Sequence, residues 1–224
     1  MRTIKKVASH IFIDGFGGMT QGLFATLIIG TMIQQIGLLI GGSTGNVIYL
    51  LGKAAAALTS AGIGVGVAVK YGESPLVTVS AAVAAMVGGY AGKITGGTFF
   101  VDGNAVLAGP GEPLGAFIAA FAGITCGHLV SGKTKVDIIV TPVITIGAGS
   151  VVGLLVGPPI SQMMTGLGSI INWATEQRPF IMGIVVSVVM GMVLTLPISS
   201  AALGIILNLS GLAAGAATIG CCCN

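Results

Sequence analysis

Long apolar runs, separated by short clusters of Gly, Pro, Ser and Lys, repeat along the whole chain. A membrane-crossing helix needs roughly 20 apolar residues. Seven runs approach that length: 19–41, 47–69, 76–91, 113–130, 136–156, 180–197 and 201–219. Strand-like alternation with a period of two is absent, so these runs predict helices and exclude a membrane barrel. The pattern predicts an all-α, polytopic integral membrane protein of seven transmembrane helices. Pro142 and Pro197 predict kinks, because proline removes a helical hydrogen bond.

Three stretches depart from the apolar pattern. Residues 1–18 form an amphipathic N-terminal segment, with Ile4, Val7, Ile11 and Phe12 at helical spacing beside Arg2, Lys5 and Lys6. This predicts a short helix on the membrane surface, followed by a single transmembrane domain over 19–224. Residues 93–112 are rich in Gly and Pro and apolar enough at Phe99, Phe100 and Val101 to dip into the bilayer as a re-entrant loop. After the break predicted at Pro158 and Pro159, residues 160–177 carry Ile160, Met163, Leu167, Ile170 and Ile171 along one stripe, with Ser161, Thr165, Asn172 and Glu176 on the other side. That is an amphipathic helix. It either lies at the interface with Trp173 as anchor or lines a polar path, and the interfacial reading is favoured.

Composition sharpens the class. Nine Lys/Arg and six Asp/Glu in 224 residues are too few to cover a soluble domain, and 54% of the chain is apolar. The mean hydropathy of +1.04 agrees. Lipid is therefore the solvent for most of the surface. The 38 glycines follow no collagen period and suit close helix–helix approach. Gly37, Gly41 and Gly45, and again Gly149, Gly153 and Gly157, put a smooth groove on one helix face. The basic residues predict orientation: Arg2, Lys5, Lys6, Lys70, Lys133 and Lys135 fall on the cytoplasmic side, leaving Lys93 and Arg178 outside. Scattered single lysines exclude a nucleic-acid surface. Cys126 and Cys221 to Cys223 have no metal-site spacing and read as small apolar residues. No metal site and no cofactor are expected, and no phosphate-binding loop or hydrolytic triad is present.

Where ionised groups are this scarce, each one inside an apolar context is a candidate for function. Glu112 stands between Gly111 and Pro113. Proline suits the first helical position, so Glu112 falls at the N-cap, where the helix dipole stabilises a carboxylate. Broken helices at membrane depth are how transporters hold polar solutes. Glu112, with Asp102 and Asn104 in support and Gly111 and Pro113 shaping the turn, suits a hydroxyl-rich ligand. The rival reading is an ordinary external loop with a capping Glu, and the scarcity of charge favours the site. Asn172, Glu176 and His128 are secondary candidates. For His128, a structural bond to a backbone carbonyl is the simpler account.

The strings Gly109-Pro-Gly-Glu-Pro-Leu-Gly-Ala-Phe117, Ser131-Gly-Lys-Thr-Lys-Val-Asp-Ile-Ile-Val-Thr-Pro142 and Leu196-Pro-Ile-Ser-Ser-Ala-Ala-Leu-Gly204 resemble the membrane permease (IIC) component of the bacterial phosphoenolpyruvate-dependent sugar phosphotransferase system. The nearest likeness is to a stand-alone IIC-like branch. The resemblance implies a sugar transporter of the bacterial inner membrane with a cytoplasmic N-terminus. It implies that sugar is bound at mid-membrane and delivered to a separate cytosolic phosphocarrier (IIB-like) protein. The chain would then be a transport subunit with no catalytic centre of its own. Glu112 matches the Glu of a Glu-Pro loop that contacts sugar hydroxyls in such permeases, and 160–177 resembles their amphipathic connecting helix. Relatives are longer, so the chain is expected to be a piece truncated at its C-terminus. A homodimer meeting through the Gly-lined faces is expected, within the lipid bilayer. Two other classes stay open on the residues alone: an ion- or proton-coupled carrier of another small solute, and a non-transporting membrane scaffold or sensor.

Overall fold

The computed structural model describes residues 14–101, 104–107, 109–193 and 211–222. Its contacts divide the chain into two compact units, 1–159 and 160–224. The N-terminal amphipathic segment, apart from Asp14 onward, and the Leu196 to Gly204 string lie outside the described residues.

Glycine pairs build the first hairpin of the first unit. Helix α1 (Phe16–Ile40) runs against α2 (Gly42–Ala57) and then α3 (Thr59–Lys70). Gly37 meets Gly45, Gly30 meets Gly52, Gly22 meets Gly62 and Gly18 meets Gly66. A Cβ added at Gly18, Gly22, Gly30, Gly37, Gly45, Gly52 or Gly66 would come within 2.9 Å of the partner's carbonyl oxygen. Only glycine lets the backbones approach this closely, and the close approach gains dispersion contacts that lipid would not otherwise offer. Chain reversal between the arms uses Gly41 and Gly42, both at positive φ.

The two arms keep matched steps except in one place. From Gly22 to Gly30 α1 advances eight residues, while the opposite arm spans ten from Gly52 to Gly62. Within that interval α1 has a π-helical turn at Phe24–Ile28, and the other arm breaks at Leu58 with a 54° bend. Thr26 sits in the wide turn. Its hydroxyl donates to the carbonyl of Gly22 at 2.7 Å, and its methyl reaches toward Gly62. Such back-bonding bends helices.

The rest of the unit is α4 (Pro75–Gly89), a short α5 (Ala91–Thr95), an antiparallel hairpin of β1 (Phe100–Val101) and β2 (Asn104–Ala105), and α6 (Pro113–Val130). Ser74 caps α4 by accepting from the N–H of Val77 at 3.4 Å, with Pro75 at the first helical position. Helix α6 packs on α4 and α3 through small residues, with Ala84, Ala85, Ala116, Ala119 and Ala120 all at 0% exposure. Helix α7 (Asp137–Gln177) adds its early turns. Gly149, Gly153 and Gly157 fit against Ala84, Gly88, Ala91 and Ala119. Gly149, Gly153 and Gly157 therefore form the predicted stripe and are filled by packing within this chain, whereas Gly37, Gly41 and Gly45 do not share one helix face: Gly41 reverses the chain between α1 and α2, and Gly37 and Gly45 meet from opposite arms.

In the second unit, α8 (Pro179–Val193) and α9 (Gly211–Cys222) pack together, with Val186 against Ala216 and Ala217 and Ile171 beside them. The Ser187 hydroxyl donates to the carbonyl of Ala216 at 2.7 Å, bridging the two helices.

Three helical stretches among the described residues are long and apolar enough to cross a membrane: Phe16–Ile40, Pro113–Val130 and Asp137–Met163. The bent pair α2 and α3 makes a fourth if it counts as one span, and Pro75–Gly89 and Pro179–Val188 are shorter apolar helices. Exposed Met32, Leu38, Leu39, Leu155 and Phe180 suit a lipid-facing surface. A further local expectation changes: the run 47–69 is broken in its middle. Residues 137–177 stay helical through Pro142, Pro158 and Pro159, while the two compact units divide directly after Pro159, at the predicted break. Proline is tolerated in membrane helices when neighbouring groups satisfy the freed carbonyls.

Candidate functional site

The chain reaches α6 through Gly109, Pro110, Gly111 and Glu112, with Pro113 as the first helical residue. Glu112 holds extended N-cap dihedrals, φ −89° and ψ 111°. Its backbone N–H donates to the carbonyl of Gly89 at 2.7 Å. That carbonyl ends α4, where the last four have no donor in their own helix, so the start of α6 completes the end of α4. Gly111 has φ +75°. A Cβ there would also lie 2.5 Å from the Ser60 hydroxyl oxygen. Both conditions demand glycine.

Two buried hydroxyls tie down the preceding carbonyls. Ser60, near the start of α3, donates to the carbonyl of Pro110 at 2.9 Å. Tyr90, the C-cap of α4, donates to the carbonyl of Gly109, with the Ala57 carbonyl 3.3 Å from the same hydroxyl. The site is thus a junction of three helix ends: the end of α4, the start of α6 and the start of α3 beside its break from α2.

At this junction the Glu112 carboxylate keeps unused capacity. Its Oε1 is buried and has no hydrogen-bond partner. A buried acceptor left unsatisfied costs about 1–3 kcal/mol, more when charged. The positive end of the α6 dipole favours a negative charge here. An oxygen held in this way can accept a hydroxyl proton from a bound solute.

The other predicted residues distribute unevenly. Gly111 and Pro113 flank Glu112, and Pro113 is buried. Asn104 is exposed on β2, opposite Val101 in the hairpin. Asp102 lies outside the described residues. The hairpin is tied back toward the junction, since Phe99 packs its ring 5.4 Å from that of Tyr90 and the N–H of Val106 donates to Phe99 at 2.8 Å. His128 is at the far end of α6, about 24 Å from Glu112 at 1.5 Å per residue. There its Nδ1 lies 2.9 Å from the Glu73 carboxylate, while Ser74 and Ser131 hydroxyls meet at 3.1 Å. A carboxylate, and not the expected backbone carbonyl, holds this histidine. Asn172, half-buried, and Glu176, exposed, belong to the second unit.

Sequence reasoning missed Tyr90, Ser60 and Glu73. Ser60 sits in a string of small residues with no local mark. Tyr90 carried a faint signal, a lone phenol directly after Gly88 and Gly89 in an apolar helix. Among the described residues no three His, Cys, Asp or Glu side chains gather in a group able to hold a metal.

The family model for "Phosphotransferase system, EIIC" matches residues 13–224. Neither a curated protein nor a solved structure matches the chain. The family match covers the loop that presents Glu112, the helices packed around it and the second unit alike, and the apolar helices are those of a membrane protein. From this match, the chain belongs to the EIIC family of the phosphotransferase system, the membrane permease component for sugar transport.

Proposed function

We propose that this permease component binds its sugar at the Glu112 junction, within the membrane, and presents it to a separate cytosolic IIB-like phosphocarrier. Glu112 accepts hydrogen bonds from sugar hydroxyls, with Asp102 and Asn104 in support and Gly111 and Pro113 fixing the turn. A neutral polyol suits the site, because each carboxylate oxygen takes a hydroxyl donor without adding charge in a low dielectric. The observation that carries the reading is the buried Oε1 of Glu112, which has no hydrogen-bond partner at a turn whose backbone is otherwise tied.

The same reading includes seven spans, a re-entrant course for 93–112, an interfacial position for 160–177, and insertion in the bacterial inner membrane with the N-terminus inside. Assembly as a homodimer would use faces other than those where Gly37, Gly45, Gly149, Gly153 and Gly157 are already packed. The test is sugar binding and uptake by Glu112→Gln. A hydrogen bond to a charged group contributes roughly 1.5–3 kcal/mol, so affinity should fall on the order of tenfold or more while membrane insertion and thermal stability persist. Unchanged uptake in this variant removes the assignment. Uptake in phosphocarrier-free vesicles that collapses with the proton gradient would replace it with an ion-coupled carrier.

A further inference from the structure

We propose that Tyr90 and Ser60 are positioning residues for the Glu112 carboxylate: two hydroxyls on different helices that hold the carbonyls of Gly109 and Pro110 and so set where Glu112 presents its open oxygen. The inference rests on the reading of Glu112 as the sugar acceptor and names the groups that control it.

The turn has little conformational restraint of its own. Gly109 and Gly111 stand at φ +81° and +75°, the region only glycine visits freely. Pro110 has no N–H to donate. Three ties therefore define its course. Tyr90 holds the Gly109 carbonyl, Ser60 holds the Pro110 carbonyl at 2.9 Å, and Gly89 accepts from the Glu112 N–H at 2.7 Å. Both hydroxyl donors are fixed: Tyr90 is 1% exposed and Ser60 0%. The Tyr90 ring is further held by Phe99 and by the Lys93 ammonium, 5.3 Å from its centroid.

Satisfying buried carbonyls is the ordinary use of such hydroxyls. Here the distribution of partners goes further. Every one of these ties falls on the backbone of 109–112, and none falls on the Glu112 Oε1, which stays buried with its acceptor capacity open. A backbone held this firmly under a side-chain oxygen without a partner is a presenting device. Loss of either hydroxyl leaves the fold's apolar contacts in place and lets the turn rotate about its two glycines, carrying the carboxyl group with it.

The test reads the carboxyl directly. Purified full-length protein in detergent is reacted with dicyclohexylcarbodiimide, and modification of Glu112 is followed by peptide mass spectrometry, with Glu73 in the same molecule as reference. Tyr90→Phe and Ser60→Ala should each change the Glu112-to-Glu73 labelling ratio by about threefold or more, within what one hydrogen bond is worth, with the folding transition retained and Tm lowered by no more than the loss of that one bond. Thr31→Val, which removes an exposed hydroxyl bonded only to its own helix at Ile28, should leave the ratio as in the wild type. An unchanged ratio in both Tyr90→Phe and Ser60→Ala overturns the proposal. So does a shift of the same size in Thr31→Val. Glucose, mannitol, galactitol, N-acetylglucosamine and cellobiose are then added singly to the wild type. Slower labelling of Glu112 by any of them supports the acceptor reading. If none slows it while the two variants still shift the ratio, the sugar reading falls and the two hydroxyls stand as orienting groups for the carboxyl alone.

Discussion

The N–H of Glu112 and the carbonyl of Gly89 are 2.7 Å apart, so the first turn of α6 is hydrogen-bonded to the last turn of α4. The contact needs close backbones. A Cβ at Gly88 would collide with the Cβ of Ala119 and lie 2.5 Å from the Gly115 carbonyl. Gly88→Ala is expected to destabilise by about 1–3 kcal/mol, the cost of overpacking a dense core, seen as a lower Tm in detergent. Gly147→Ala, where an added Cβ meets nothing within 4 Å, should leave Tm within error of the wild type.

Gly111→Ala combines two penalties at the turn itself. Left-handed backbone costs an L-residue about 1–2 kcal/mol, and the new methyl would press on the Ser60 hydroxyl that ties the loop. Uptake and sugar affinity should fall sharply, with a loss of stability at least comparable to that of Gly88→Ala. Equal affinity for wild type and Gly111→Ala would show that the turn does not shape the binding site.

The His128–Glu73 pair predicts a contrast. His128 is 71% exposed and sits at the other end of α6 from Glu112, but its partner Glu73 is only 9% exposed. Removing the imidazole leaves a nearly buried carboxylate without its partner, which costs more than a surface ion pair does. His128→Gln should therefore lower Tm measurably and leave sugar affinity unaltered. An affinity loss comparable with that of Glu112→Gln would return His128 to the sugar site.

In the second unit, Ser187 offers a clean measure of an interhelical hydrogen bond in lipid. Removing the hydroxyl in Ser187→Ala leaves the Ala216 carbonyl with its own-helix partner, so a modest destabilisation of about 0.6 kcal/mol is expected. Chemical denaturation of the protein in mixed micelles measures it.

Much of the architecture was legible. Pro113 after Glu112 announced the start of α6, and the run 113–130 matches that helix end to end. The stripe of Gly149, Gly153 and Gly157 announced close packing without naming its partner, whereas the spacing of Gly37, Gly41 and Gly45 misled, because Gly41 turns the chain and the outer two face each other across the hairpin. The break at Leu58 left no trace in the sequence. Ala54 to Ser60 contain no proline, and the break lies opposite the wide turn of α1. Pro158 and Pro159 leave the residues around them helical but mark the division between the two units. The candidacy of Glu112 was readable because a carboxylate is costly in an apolar context. Ser60 and Tyr90 were not, because their roles come from segments 50 and 19 residues away in sequence.

The glycine ladder of the first hairpin also constrains how the gene can vary in length. Each helical residue rotates the chain by about 100°, so deleting one codon from α1 would turn every later glycine off the seam and bring side chains into spaces that admit none. Only a matched loss in the opposing arm would restore the alignment. The stretch beside the wide turn and the Leu58 break, where the arms already differ by two residues, is the place where such an insertion or deletion is most readily absorbed.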